Sequence, residues 1–143
     1  MKNKILFFEN NLVKLKNKQK LREWINNCVA DRKYVIICVN FIFCTKKEIK
    51  DLNKKYLKKD NLTDVIAFNY ENKKNIFADV YMCYDVIKEN SRLYSVKIKE
   101  EVHRVMIHGI LHLCGLKDQK TKEKNNMTQF ENFYLQKLKI QNV

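Results

Sequence analysis

The chain has 143 residues, of which 45% are hydrophobic and 11% aromatic, and its formal net charge is +13. This length and composition predict one domain over residues 1–143 and exclude a disordered chain. The longest nearly continuous apolar run, residues 34–44, is too short to cross a bilayer. The apolar stretch 5–8 is also too short for a secretory signal, so we expect a soluble cytoplasmic protein with no membrane partner.

The positive charge is concentrated in the first part of the chain. Residues 1–60 hold 16 Lys and Arg against 6 Asp and Glu. A field of this sign favours a polyanionic partner such as RNA or an acidic membrane surface. Solubility, together with a compositional bias towards Lys, Asn and Ile, explains the same charge equally well, so basicity alone does not decide the partner.

The five cysteines do not form a recognisable framework. Their number is odd and no C-x-x-C occurs, which argues against a set of disulfides or a zinc ribbon. We expect reduced core residues of a cytosolic protein. Cys114 stands two residues after His112 and therefore points away from the histidine face of the helix.

The first half of the chain predicts two strands and two helices. Apolar runs rich in Ile, Val and Phe indicate strands over residues 5–8 and 34–44. Between them, a helix with an apolar stripe begins at a cap on Asn10 or Asn11 and runs to about Val29. Thr45 and Glu48 have the spacing of a capping box, which opens a helix that ends near residue 57.

The second half predicts a hairpin followed by three helices. Strands over 65–70 and 76–83 flank the polar turn 71–75. Helices then cover about 84–93, the stretch from a cap at Ser95 to Cys114, and about 120–138. This order favours an α+β fold with a small mixed sheet of about four strands packed with about five helices. Asp79 lies inside a strand and needs a partner, either a backbone amide or a group at the site.

The most informative stretch of the sequence is a helix that ends in a turn. His108 and His112 stand four residues apart, so both project from one face of the helix and can bind one zinc ion. The same spacing occurs in H-E-x-x-H zinc helices, but Gly109 takes the position of their general-base glutamate. Gly115 can end the helix in the left-handed conformation, and the turn after it can return Asp118 as a third ligand.

Two readings of this histidine pair are open. Both side chains can be half-buried helix residues that simply hydrogen-bond to neighbours. The glycine exit and the following acid favour a metal site, and three protein ligands leave zinc a fourth position for water, which is the catalytic pattern. His103 is about 140° around the helix from His108, so it is not expected to share the metal.

A cluster of four lysines stands at the end of the second predicted helix: Lys54, Lys55, Lys58 and Lys59. These side chains can contact RNA phosphates. The alternative, which we prefer, is that they complement the negative end of the helix dipole.

Three segments together resemble the YbeY-type rRNA maturation factors, a family of bacterial zinc endoribonucleases. They are residues 52–68, the triplet 78–80 and the motif 108–115. The resemblance implies one Zn²⁺ per chain, held by His108, His112 and a third ligand that is usually histidine in the family. That position is Asp118 here, and a carboxylate binds zinc at similar distances.

The resemblance also implies a single-strand-specific endoribonuclease that acts in small-subunit rRNA 3′-end maturation and ribosome quality control. Its expected partners are rRNA and the ribosomal small subunit, and the oligomeric state is left open. Zinc would lower the pKa of its bound water, polarise a phosphoryl oxygen, or both, with support from Lys58 and Lys59. No protein side chain is assigned as the general base.

One departure from the family pattern supports a different activity. Many members carry arginine directly after the tyrosine of the first segment, where this chain has Leu57, which cannot hydrogen-bond a phosphate. The alternative is therefore an rRNA-binding ribosome-assembly factor with a mainly structural zinc and weak or no nuclease activity. A zinc peptidase is disfavoured because the glutamate base is missing.

Overall fold

The computed structural model describes residues 3–71 and 74–140 of the chain. Nine elements lie in this part of the protein, four strands and five helices. They are β1 (Lys4–Phe8), α1 (Lys18–Asp31), β2 (Val35–Cys44), α2 (Lys46–Leu57), β3 (Val65–Asn69), β4 (Asn75–Cys83), α3 (Tyr84–Leu93), α4 (Ile98–Leu113) and α5 (Thr121–Ile140).

The four strands form one mixed sheet in the order β1-β2-β4-β3. β1 pairs with β2 and β2 with β4 in parallel, whereas β3 is antiparallel to β4. The predicted α+β fold with a small mixed sheet is therefore confirmed. The predicted hairpin is the β3–β4 pair, although residues 72–73 of its turn lie outside the described residues.

The two faces of the sheet are covered differently. Alternate residues such as Phe41 and Val80 point into the main core, where they meet Trp24 of α1 and Met106 of α4. On the opposite face a smaller cluster forms beneath α2, around Ile49. α4 packs on β3 and β4 and also contacts α1, α3 and α5, so it links the sheet to three other helices.

Asp79 lies on the face of the sheet opposite the main core. Its carboxylate accepts hydrogen bonds from Asn40 Nδ2 at 3.0 Å and from Tyr70 Oη at 2.7 Å. Its partners are thus a side chain of β2 and the side chain that directly follows β3, neither a backbone amide nor a group of the histidine motif. The hydrogen bond to Asp79 raises the pKa of Tyr70 to about 12.

The predicted start of the first helix was wrong. α1 begins at Lys18, because Asn10, Asn11 and Asn17 all adopt positive φ angles that no helix can include. The Asn10 amide instead donates to the carbonyl oxygen of Phe43 at 2.8 Å. Asparagine favours both roles, since it caps helices and also tolerates the left-handed conformation.

The predicted cap of α4 was wrong for the same reason. Ser95 has φ 56° and its N–H donates to Arg92 O, so it belongs to the exit from α3. α4 begins three residues later, after Lys97.

All five cysteines are free, and four of them are buried. This agrees with the expectation of reduced core thiols. Within the described residues, no helix combines the length and the apolar character that a membrane crossing requires.

The capping box of α2 generates a prediction for stability. Thr45 Oγ1 accepts from Glu48 N at 3.2 Å, and Glu48 Oε1 accepts from Thr45 N at 2.9 Å. Thr45→Ala removes the first bond, so the free energy of unfolding in urea should fall by about 1 kcal/mol. Lys47→Ala, at an exposed position in the same turn, should change it much less, and equal losses in both variants would contradict this role.

Candidate metal centre

The histidine motif lies in the last turns of α4 and in the loop that leaves it. Gly115 has φ +93°, a conformation that side chains strain, and its N–H donates to His112 O at 2.9 Å. Leu116 N then donates to Leu111 O at 3.1 Å, which closes the helix end in the manner of a Schellman turn. This reversal directs the following residues back along α4, as the sequence predicted.

Three potential ligand atoms meet beside α4. His108 Nε2 and His112 Nε2 lie 3.0 Å apart, and Asp118 Oδ2 is 3.3 Å from the first and 3.1 Å from the second. A tetrahedral ion with bonds of about 2.0 Å keeps its ligand atoms about 3.3 Å apart. The spacing therefore fits one small divalent cation, and among the described residues this is the only such group of three.

Each histidine ring is held by a contact at Nδ1, and these two contacts direct both Nε2 atoms towards the centre of the three ligand atoms. His112 Nδ1 lies 2.9 Å from Leu116 O, and a carbonyl oxygen can only accept. The proton of neutral His112 must therefore be on Nδ1, which leaves the lone pair on Nε2 free for a cation. His108 Nδ1 lies 2.6 Å from Glu131 Oε2 and is oriented in the same way.

Glu131 is a buried carboxylate supplied by α5. Only 7% of its surface is exposed, and Arg104 Nη1 donates to its second oxygen at 2.9 Å. Burial lowers the pKa of His108, but the hydrogen bond and charge of Glu131 outweigh it and raise that pKa above its ordinary value. A carboxylate behind a metal-binding histidine fixes the ring and increases its basicity.

Glu131 was not predicted as a site residue, although its position in the sequence carries a signal. Met127, Tyr134 and Leu138 form the buried apolar stripe of α5. Glu131 stands four residues after Met127 and three before Tyr134, so it falls on that stripe. A carboxylate at a core position of a helix requires a partner, which here is the histidine and the arginine of α4.

Gly109 explains why the glutamate of H-E-x-x-H helices has no counterpart here. A Cβ atom at this position would lie 3.0 Å from Val80 Cγ1 and 3.7 Å from Val65 Cγ2. α4 therefore packs directly on β3 and β4, and a side chain at 109 would have to displace Val80, the more so for one as large as glutamate. This packing argues against the peptidase reading.

The three ligand atoms open onto a groove of about 720 Å³ between α4 and the loop before β3. Two acidic side chains line it besides those already described. Burial raises the pKa of Asp64, which accepts a long hydrogen bond of 3.5 Å from Asn90 Nδ2. Burial, and then the charge of Asp64, raise the pKa of Glu101 to about 7.

The four predicted RNA-binding lysines are not equivalent in the structure. Lys59 lines the groove, as does Leu57, whereas Lys54, Lys55 and Lys58 are exposed and lie outside it. Lys58 ends α2 in a left-handed conformation, which brings Lys59 round towards the loop before β3. The contact of any of them with RNA stays a prediction.

The role of Glu131 in orienting His108 can be tested by substitution. Glu131→Gln keeps the size of the side chain but removes its charge, so the affinity for Zn²⁺ should fall about tenfold or more. Isothermal titration with Zn²⁺ measures this, and circular dichroism checks that the variant is folded. Glu89→Gln, an exposed change on α3, serves as the control, and a folded Glu131→Gln protein with undiminished affinity would contradict this role.

The model of the family described as endoribonuclease YbeY matches residues 7–139. A Cytophaga hutchinsonii protein named endoribonuclease YbeY is 38% identical over 130 residues, covering 89% of this chain and 91% of that protein. A protein of the same name from Amoebophilus asiaticus is 36% identical over 138 residues, which covers 96% and 94%.

A solved structure agrees with these matches. The solution structure of TM1509 from Thermotoga maritima superposes with a TM-score of 0.63 and 26% identity, covering 94% of this chain and 88% of that one. The resemblance that we inferred from the three segments is thereby confirmed, and with it the prediction of an enzyme that acts on RNA. The chain belongs to the endoribonuclease YbeY family.

Proposed function

We propose that this protein is a zinc-dependent, single-strand-specific endoribonuclease that acts in 3′-end maturation of small-subunit rRNA and in ribosome quality control. The observation that carries the metal dependence is the triangle of His108 Nε2, His112 Nε2 and Asp118 Oδ2, with sides of 3.0–3.3 Å. The rRNA and the small ribosomal subunit are its proposed partners, by virtue of the family.

The donor set favours zinc over harder cations. Two imidazoles and one carboxylate are ligands that zinc accepts in catalytic sites, whereas magnesium and calcium prefer oxygen alone. One Zn²⁺ per chain would be held by His108, His112 and Asp118. When bound, it would supply Lewis-acid activation of water and of the phosphodiester.

The residues of the chain have distinct roles in this proposal. Glu131 and the Leu116 carbonyl hold the two imidazoles so that both Nε2 atoms point into the groove. Lys59, at the edge of the groove, would attract an RNA phosphate electrostatically, with an affinity that falls as salt rises. Glu101, whose pKa is raised to about 7, can exchange a proton near neutral pH, and Asp64 is a second buried carboxyl group with a raised pKa in the same groove.

A second function is favoured by Leu57, which is 44% exposed and lines the groove where many family members carry arginine. In that case the protein is an rRNA-binding assembly factor whose zinc is mainly structural. Removal of zinc with a chelator distinguishes the two functions. A structural zinc stabilises the fold, so its removal should unfold the protein. Ribosome binding that persists in a cleavage-deficient variant would also favour this second function.

Cleavage of a single-stranded oligonucleotide with an rRNA-like sequence tests the nuclease. His112→Ala removes one imidazole from the triangle, and we expect its cleavage rate to fall by at least about a hundredfold while the fold is retained. Lys16→Ala, at an exposed position before α1, is the control. Equal cleavage by wild type and His112→Ala would identify a contaminating nuclease and refute the proposal.

Metal analysis of the purified protein tests the third ligand independently of activity. We expect close to one zinc per chain in the wild type and much less in Asp118→Ala, because two imidazoles alone hold the ion weakly. Asp60→Ala, at an exposed carboxylate in the loop after α2, is the matched control. Undiminished zinc in Asp118→Ala would exclude this carboxylate as a ligand.

A further inference from the structure

A second cavity, of about 410 Å³, lies on the other side of the groove wall, between α4 and the end of α5. We call it the flanking cavity. Glu101 and Arg104 line both this cavity and the groove of the metal centre. The two spaces are therefore neighbours along α4, separated by two side chains. The volume is in the range of small-ligand sites and is sufficient for one nucleotide.

His103 lines the flanking cavity and takes no part in the metal centre. It is 6% exposed, and its ring packs edge-on against Trp24 with 6.1 Å between the centroids. Its nitrogens form no hydrogen bond within residues 3–71 and 74–140. Since no fully enclosed side-chain nitrogen or oxygen in that part of the chain lacks a partner, the His103 nitrogens must be open to the cavity. A buried polar group of this kind is a site for a ligand's hydrogen bond.

The chemistry of the cavity matches a nucleotide. Burial and the charge of Lys99 lower the pKa of His103 to about 4, so at pH 7 the neutral ring offers one donor and one acceptor. The amides of Asn132 and Gln136 add further polar groups, of the kind that contact base edges.

The rim of the cavity carries three exposed lysines, Lys97, Lys99 and Lys139. None of them forms an ion pair with a carboxylate of the described residues. Glu100 and Glu101 oppose them in part, but the lysines extend into solvent, where a phosphate would approach. Unpaired ammonium groups around a pocket with hydrogen-bonding amides are suited to a phosphate attached to a base.

We infer that the flanking cavity binds a nucleotide of the RNA strand next to the one that is cut, with the strand passing over Glu101 and Arg104. His103 stands five residues before His108, about 7.5 Å along the helix axis and about 140° around it, so a strand that occupies both sites must cross the wall formed by Glu101 and Arg104. The inference rests on the proposed function, because it assigns a second position on the same RNA.

Kinetics on substrates of two lengths test the assignment. The double variant Lys97→Gln, Lys99→Gln should raise KM for a single-stranded dodecanucleotide about tenfold. A plot of the logarithm of the binding constant against the logarithm of the salt concentration should become less steep, with a slope smaller by roughly 1.4. kcat should not change, and neither should the cleavage of a trinucleotide that occupies the groove alone. Lys14→Gln, Lys16→Gln, on the loop before α1, is the charge-matched control.

A direct readout is the NMR signal of the His103 ring, which is assigned by its loss in His103→Asn. A non-cleavable dodecanucleotide should shift it, whereas AMP or inorganic phosphate at the same concentration should shift it much less. The inference is overturned if the lysine double variant and its control change KM equally, or if the lysine double variant impairs cleavage of the trinucleotide as much as that of the dodecanucleotide. A His103 signal that the dodecanucleotide does not shift would overturn it too. AMP or phosphate that binds as tightly as the oligonucleotide would overturn it as well, in favour of a site for the free anion.

The two proposals fail separately. If the wild type cleaves no RNA, the proposed nuclease is refuted, yet the oligonucleotide titration of His103 still decides whether the flanking cavity binds RNA. If cleavage is normal and His103 does not respond, only the flanking cavity is refuted.

Discussion

The hydrogen bond between Glu131 and His108, at 2.6 Å, connects the fold to the candidate metal centre. It joins α5 to α4 and, together with the ion pair between Glu131 and Arg104, satisfies a carboxylate that would otherwise be costly to bury. The same contact turns the His108 ring so that Nε2 faces His112 and Asp118. An interaction that stabilises the helix pair therefore also orients the ligand.

The two glycines of the chain contribute to the same end in different ways. Gly109 allows α4 to lie against β3 and β4, where a Cβ would meet Val80. Gly115 allows the chain to reverse with a positive φ, so that Asp118 returns to the helix it has just left. Gly109 leaves no room for a glutamate base in the middle of the motif, and Gly115 makes the turn that brings Asp118 to the two histidines.

The charge around the centre is unlike that of the chain as a whole. The net charge is +13, but the groove contains Asp64, Glu101, Asp118 and Glu131 beside the histidines. A cation bound there would be attracted by these groups, while Lys59 and the lysines of the flanking cavity lie at the edges. This arrangement separates the part of the surface that favours phosphate from the part that favours a metal ion.

Patterns over short distances in the sequence determined most of the elements. Alternating and continuous apolar runs located all four strands, the Thr45 and Glu48 spacing located α2, and the histidine spacing with Gly115 placed the potential ligands of the metal centre. Such features are local, because a helix turn or a strand pleat sets which side chains share a face. The errors were local as well. Asn10 and Ser95 suit both a cap and a left-handed turn, and only the neighbouring contacts choose between them.

Only the tertiary structure decided which distant side chains complete the site. Glu131 is 23 residues from His108, and Asp64 reaches the groove from the loop before β3. The tertiary structure also decided which side chains bind Asp79 and why Lys59, but not Lys58, reaches the groove. It likewise formed the flanking cavity beside His103. The physical reason is that packing between elements depends on how the faces of α4, α5 and the sheet fit together, and residue spacing along one element carries no information about that fit.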